Sequence, residues 1–171
     1  MVKVIRPSST LLFEGMAKIL ESSIFKNKKG WRSGRNSTKY KKEVVEYLKF
    51  VYKHSQLQLY CFVSAFIYLH RLVWTPAKKD PEPSATRKVF VITRSNWMVL
   101  VTIAIMVAQK FNDDEKYLNI DFTKLCPKYD IKQLNKMEVD FLVGLNWDCS
   151  FTRQEYYAYY KWITEIVREQ T

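Results

Sequence analysis

The chain has 171 residues, enough for one domain with a proper core, and its 28 Lys and Arg against 17 Asp and Glu give a formal charge of +11. Only 4 Gly and 5 Pro interrupt it, which disfavours a many-turned β fold and favours long helices. A charge of +11 suits nucleic acid, acidic lipid or an acidic protein face, and it says nothing about fold.

The N-terminus MVKVIRPSSTLLF has no apolar stretch of signal-peptide length, so secretion is not expected. Ser8, Ser9 or Thr10 can cap a first helix through LLFEGMAKILESSIF, where Leu12, Met16, Ile19, Leu20 and Ile24 recur at helical spacing. From Lys26 to Lys42 stand eight Lys or Arg and no acid, with Gly30, Gly34 and a spread of Ser, Thr and Asn. This reads as a basic loop over 26–42. It is a solvated linker, a nuclear-import signal, or a patch in which Lys28, Lys29, Arg32 and Arg35 receive phosphate or another acidic partner. The rest of the chain holds 20 bases against 17 acids, so the charge is local. A second helix is expected over Glu43–His54, with Val44, Tyr47, Leu48 and Val51 on one stripe. A third, Leu57–Trp74, is apolar almost all round and must be largely buried. Residues 75–88, TPAKKDPEPSATRK, hold three prolines and read as a loop.

From Trp97 to Ala108 twelve residues stand in a row with only Thr102 not apolar. A surface helix would show a polar face roughly every three to four positions, and a membrane span needs about 20 apolar residues. Asn96–Phe111 is therefore read as a central helix wrapped by others, with no membrane contact and with Lys110 a cation at the rim of the core. Asp113, Asp114 and Glu115 in the polar break that follows lack the ligand spacing of a cation site, so no metal is expected. A short helix around Asp121–Leu125 ends at Cys126-Pro127.

Asp130 caps the next helix, IKQLNKMEVDFLVGL, in which Ile131, Leu134, Phe141, Leu142 and Leu145 form one stripe. Glu138 lies inside that stripe. A lone carboxylate there would be expensive to bury, so it needs a partner. One reading is an intramolecular ion pair locking two helices; the other is a polar contact offered to a second protein. The last helix, FTRQEYYAYYKWITEIVRE, carries Phe151, Tyr156, Tyr159, Tyr160 and Trp162 partly at helical spacing, so most of these are expected in the core. Aromatics make up 15% of the chain, more than the core requires, so some are expected on a binding surface. Cys61, Cys126 and Cys149 are widely spaced, with no CxxC and only His54 and His70 beside them, which reads against zinc and for a reducing cytosol or nucleus. A Gly-rich phosphate loop, a nucleophile elbow and a His-based constellation are all lacking, so no enzyme and no cofactor are expected.

The segments YLHRL (Tyr68 to Leu72), AQKFND (Ala108 to Asp113) and QLNKMEVDFLVGLNW (Gln133 to Trp147) together resemble a cyclin box. The last, with AKILES near the N-terminus, is most similar to the phosphate-regulatory or P-type cyclins, whose box reads ELNxLExxFLxxLxW. The resemblance covers about Tyr40–Lys161. It implies an all-α fold: a single cyclin box, a five-helix core around a buried central helix, with one flanking helix at each end. The division it implies is 1–39, N-terminal helix and basic loop; 40–150, cyclin box; 151–171, C-terminal helix.

The resemblance further implies a regulatory subunit without catalysis, a monomer until it binds a cyclin-dependent serine/threonine kinase and holds the kinase C-helix inward. In the family the Lys of the KF piece and the Glu of the ME piece contact kinase backbone. Here they are Lys110 and Glu138, with Phe111 packing beside them and Lys132, Leu142, Trp147 and Cys149 where the family offers further contacts. Internal satisfaction of both charges would argue against that role. His70 stands where many cyclins have the Asp of a buried Asp–Arg pair, and KKEVVEYLKF lacks the substrate-docking motif of cell-cycle cyclins. An end after one box fits the P-type. The alternative is a cyclin-like nucleic-acid-binding module using the basic loop 26–42, although no base-reading helix accompanies it.

Overall fold

A computed structural model describes residues 8–25, 35–74, 90–114 and 117–168. Among them lie seven helices and no strand: α1 (Ser9–Phe25), α2 (Arg35–Ser55), α3 (Leu59–Val73), α4 (Trp97–Asn112), α5 (Asn119–Thr123), α6 (Ile131–Gly144) and α7 (Arg153–Arg168). The all-α expectation holds. Two compact units form, one of α1, α2 and α7, the other spanning Tyr60–Thr152 with most of α3 and all of α4, α5 and α6.

In the first unit α1 packs against both α2 and α7. Serving two neighbours, it buries more than one stripe, including Leu12, Phe13, Met16, Ala17, Ile19, Leu20 and Ile24. At Gly15 a side chain would overlap the Ile163 carbonyl, so the α1 and α7 backbones cross almost in contact. Three residues on, Lys18 Nζ donates to the Ile166 carbonyl at 2.6 Å, supplying a cationic donor to the last turn of α7.

α2 begins at Arg35 rather than Glu43, so part of the expected basic loop is helix. Tyr40 is 0% exposed and meets Phe25 edge-on at 5.6 Å. It starts an apolar stripe that continues through Val44, Tyr47, Leu48 and Val51, all buried. Lys39 and Lys42 then take the exposed face, where Lys is a good helix former. The dense charge masked the helical phase. α7 also departs from expectation: its buried residues are Ile163 and Thr164, while Tyr156, Tyr159 and Tyr160 are half-buried and Trp162 is exposed. A backbone-close crossing leaves little room for large side chains in the seam itself, so the aromatics of α7 are only partly covered.

In the second unit α3 buries every residue from Cys61 to Leu69, and α4 buries Trp97, Val99 and an unbroken run from Val101 to Gln109. The central-helix reading stands. No described helix is long and apolar enough to cross a membrane. The hydroxyl of Thr102 bonds the Met98 carbonyl at 2.8 Å and meets Cys126 Sγ at 3.1 Å, so the one hydroxyl of the run is satisfied.

Tyr60 Oη donates to the Asn112 carbonyl at 3.2 Å, and Asn112 Nδ2 to Tyr68 Oη at 3.4 Å, tying α3 to the end of α4. Burial pushes the Tyr60 phenol up to about 12 and raises that of Tyr68 as well, so both serve as neutral donors. His70 is half-buried against Trp74, ring centroids 5.6 Å apart, and burial lowers its pKa. The neighbouring Arg71 donates to the Asp148 carbonyl at 3.3 Å.

Candidate functional site

α6 starts where the sequence says it should. Asp130 accepts from the Gln133 amide at 2.8 Å, and the Gln133 side chain accepts from the Asp130 amide at 2.9 Å, a reciprocal capping box. At about 100° per residue this start sets Leu134, Phe141 and Leu145 inward and puts Glu138 at the edge of that stripe. Lys132, Asn135, Val139 and Leu142 fall on the outer side of Glu138, and the first three are exposed.

Lys110 occupies the last turn of α4, where a cation meets the negative end of the helix. Its Nζ donates to Glu138 Oε1 at 2.6 Å, and the side chains are 33% and 12% exposed. The second oxygen of Glu138 accepts from Asn119 Nδ2 at 2.7 Å, and the same amide donates to Asn135 Oδ1 at 2.7 Å. Both charges are therefore satisfied within the chain, the first of the two readings that Glu138 allowed and the outcome that counts against the pair existing to grip a partner. Removing one partner of a fully buried pair costs about 3–5 kcal/mol; a third of Lys110 is in water, which lowers the figure here.

Exposed apolar side chains neighbour the members of this cluster in the chain. Phe111, next to Lys110, is 56% exposed; Leu118 and Ile120, either side of Asn119, are 70% and 50% exposed; Val139, next to Glu138, is 50% exposed. At the end of α6 the Asn146 amide donates to the Val143 carbonyl at 3.0 Å and the Trp147 amide to the Leu142 carbonyl at 2.8 Å, a Schellman pair. Asn146 is left-handed, φ 53°, a conformation Asn tolerates. Trp147 follows at φ 58°, which costs a bulky residue about 1–2 kcal/mol, and its ring is 63% exposed. A strained backbone thus holds an indole in solvent.

Of the residues singled out from sequence, Lys110, Phe111, Glu138, Lys132, Leu142 and Trp147 all reach the surface of this unit at least in part. Cys149 does not: it is 5% exposed, burial raises its thiol pKa, and its carbonyl accepts from Tyr68 Oη at 2.9 Å, so it serves the fold. Lys28, Lys29 and Arg32 lie outside the described residues, as do residues 75–88; Arg35 opens α2, with its side chain likewise outside the description. Asn119 and Asn135 were missed, because nothing in one sequence marks an Asn whose partner stands 16 or 19 residues away. Among the described residues no group of three or more His, Cys, Asp or Glu could hold a metal ion.

Comparison with known proteins adds to this geometry. The family model described as Cyclin matches residues 16–149. Cyclin-U4-1 of Arabidopsis thaliana is 30% identical over 120 residues, 70% of this chain and 54% of that protein. Cyclin-U4-2 of the same plant is 27% identical over 113 residues, 66% of this chain and 47% of that protein. Cyclin-P4-1 of Oryza sativa subsp. japonica is 26% identical over 113 residues, 66% of this chain and 48% of that protein, in keeping with the P-type resemblance. The chain spans about half the length of these curated relatives. No solved structure matches it.

Proposed function

This chain belongs to the cyclin family, a regulatory and non-catalytic family, and on that premise we propose that it binds and activates a cyclin-dependent serine/threonine kinase by holding the kinase C-helix inward. One observation carries the reading: the Lys and Glu at the family's contact positions stand together at the surface of α4 and α6, with exposed Phe111 and Val139 next to them in the chain. Their mutual bond, the intramolecular pair that was one of the two sequence readings, means that docking does not rest on two unpaired charges. It rests on what the pair has left. Lys110 has three N–H donors and the bond to Glu138 takes one; each Glu138 oxygen keeps a lone pair beyond the bond described. A loop of kinase backbone offers both a carbonyl and an amide, and a pair already locked in place meets them with little ordering entropy.

Phe111, Val139, Leu142 and Trp147 would supply the apolar contact around that polar centre, and Lys132 a charge at the rim. In this reading residues 40–150 act as the box, residues 1–39 and 151–171 flank it, and the chain is a monomer until the kinase binds. Three buried cysteines that form no disulfide support a reducing setting in the nucleus and/or cytoplasm.

The test titrates the full chain against a panel of purified cyclin-dependent kinases, reading affinity by calorimetry and activation on a serine/threonine peptide. One kinase should bind and be activated. Lys110→Ala or Glu138→Ala should then weaken binding by about 2–5 kcal/mol, much of it from the kinase backbone group left unpaired in the interface. Trp147→Ala should weaken binding with little effect on melting. If Lys110→Ala plus Glu138→Ala, shown to be folded by circular dichroism, binds and activates like the wild type, the site is wrong.

A further inference from the structure

The carboxylate of Glu138 is held from two sides by two different elements. Lys110 on α4 takes Oε1 and Asn119 at the start of α5 takes Oε2. Asn119 spends both hydrogens of its amide nitrogen on α6, one on Glu138 and one on Asn135, each at 2.7 Å. The amide cannot be turned round, since its oxygen would then face two other acceptors. The arrangement leaves Asn119 Oδ1 buried with no hydrogen-bond partner among the described residues. An unmatched buried acceptor is unfavourable, so something at this position offsets it.

Stapling α5 to α6 is part of the answer. The carboxylate is the rest. The terminal torsion of a Glu side chain is broad and nearly two-fold, so a single bond to Lys110 through one oxygen leaves the carboxylate plane free to turn. The second bond, from a direction that Lys110 does not occupy, fixes the plane and with it the direction of the remaining lone pairs. We propose that Asn119 is a positioning residue that orients the kinase-docking carboxylate of Glu138. This rests on the docking reading given above, and it adds a residue on a third element to a contact otherwise made by α4 and α6.

The test uses the full chain and whichever purified kinase from the panel the wild type binds most tightly. Asn119→Asp keeps the shape, removes both donors and sets a second anion against Glu138. It should weaken binding about tenfold or more. In a Glu138→Gln background the same change should weaken binding further by less than about threefold, because the introduced glutamine amide can donate to the new carboxylate and restore the bond with its polarity reversed. An equal loss in both backgrounds overturns the proposal, since the bond from Asn119 to Asn135, lost in both, would then account for it. So does Asn119→Asp binding within about threefold of wild type while Lys110→Ala plus Glu138→Ala does not bind. If that double variant binds like the wild type, the docking reading falls first and the positioning role falls with it. Should Asn119→Asp lose helicity, Asn119→Ala replaces it: it removes both donors without adding a charge and should weaken binding about threefold or more. No change there also overturns the proposal.

Discussion

Replacing Gly15 with Ala sets helix propensity against packing, and the structure decides between them. In an open helix the change would stabilise by about 1 kcal/mol, since Gly gives up more backbone freedom than Ala. At this position the new methyl would overlap the Ile163 carbonyl oxygen and stand 2.8 Å from both the carbonyl carbon and Cγ2 of Ile163. Two of those three atoms are backbone, so no rotamer change relieves the clash and α7 must move away from α1. Overpacking of this kind costs about 1–3 kcal/mol. A displaced α7 also stretches the Lys18 bond to the Ile166 carbonyl, a charged hydrogen bond worth about 1.5–3 kcal/mol. The packing loss exceeds the propensity gain, and a net destabilisation of about 2 kcal/mol is expected. In a chain of this size that lowers Tm by about 4–8 °C in a calorimetric scan. Ile163→Ala trims Cγ2 and leaves the carbonyl, so it should not rescue Gly15→Ala. An unchanged or raised Tm for Gly15→Ala would refute the close crossing of α1 and α7.

Asp130→Ala removes the acceptor for the Gln133 amide and half of the capping box, and should cost about 1 kcal/mol, read as a Tm lower by about 2–4 °C; an unchanged Tm would mean the cap is not made. His70 gives a pH dependence. Burial lowers its pKa in the folded chain, so the unfolded chain binds more protons as the pH falls below the ordinary imidazole value of about 6.5. The stability it supports is therefore full above that pH and lost on acidification. His70→Phe should give a Tm that changes less between about pH 7 and 5 than the wild type does, and parallel Tm profiles would contradict the buried, neutral imidazole.

Several features were legible in the residues alone because each depends on one helix and its own periodicity. Twelve nearly unbroken apolar residues admit no surface helix, and α4 is buried from Val101 to Gln109. An Asp at the head of an apolar helical pattern announces a cap, and Asp130 accepts from the Gln133 amide. A carboxylate within an apolar stripe demands a partner, and Glu138 has two.

Tertiary structure decided who those partners are. Lys110 lies 28 residues before Glu138 and Asn119 lies 19 before it, on helices whose crossing no local pattern encodes. The same holds for the start of α2, set by the need to bury Tyr40 against Phe25, and for the half-exposed aromatics of α7, set by a glycine on another helix. Periodicity fixes which way a side chain faces, because that repeats along its own backbone. What the side chain meets there depends on where a second backbone passes, and that is fixed only when whole helices pack.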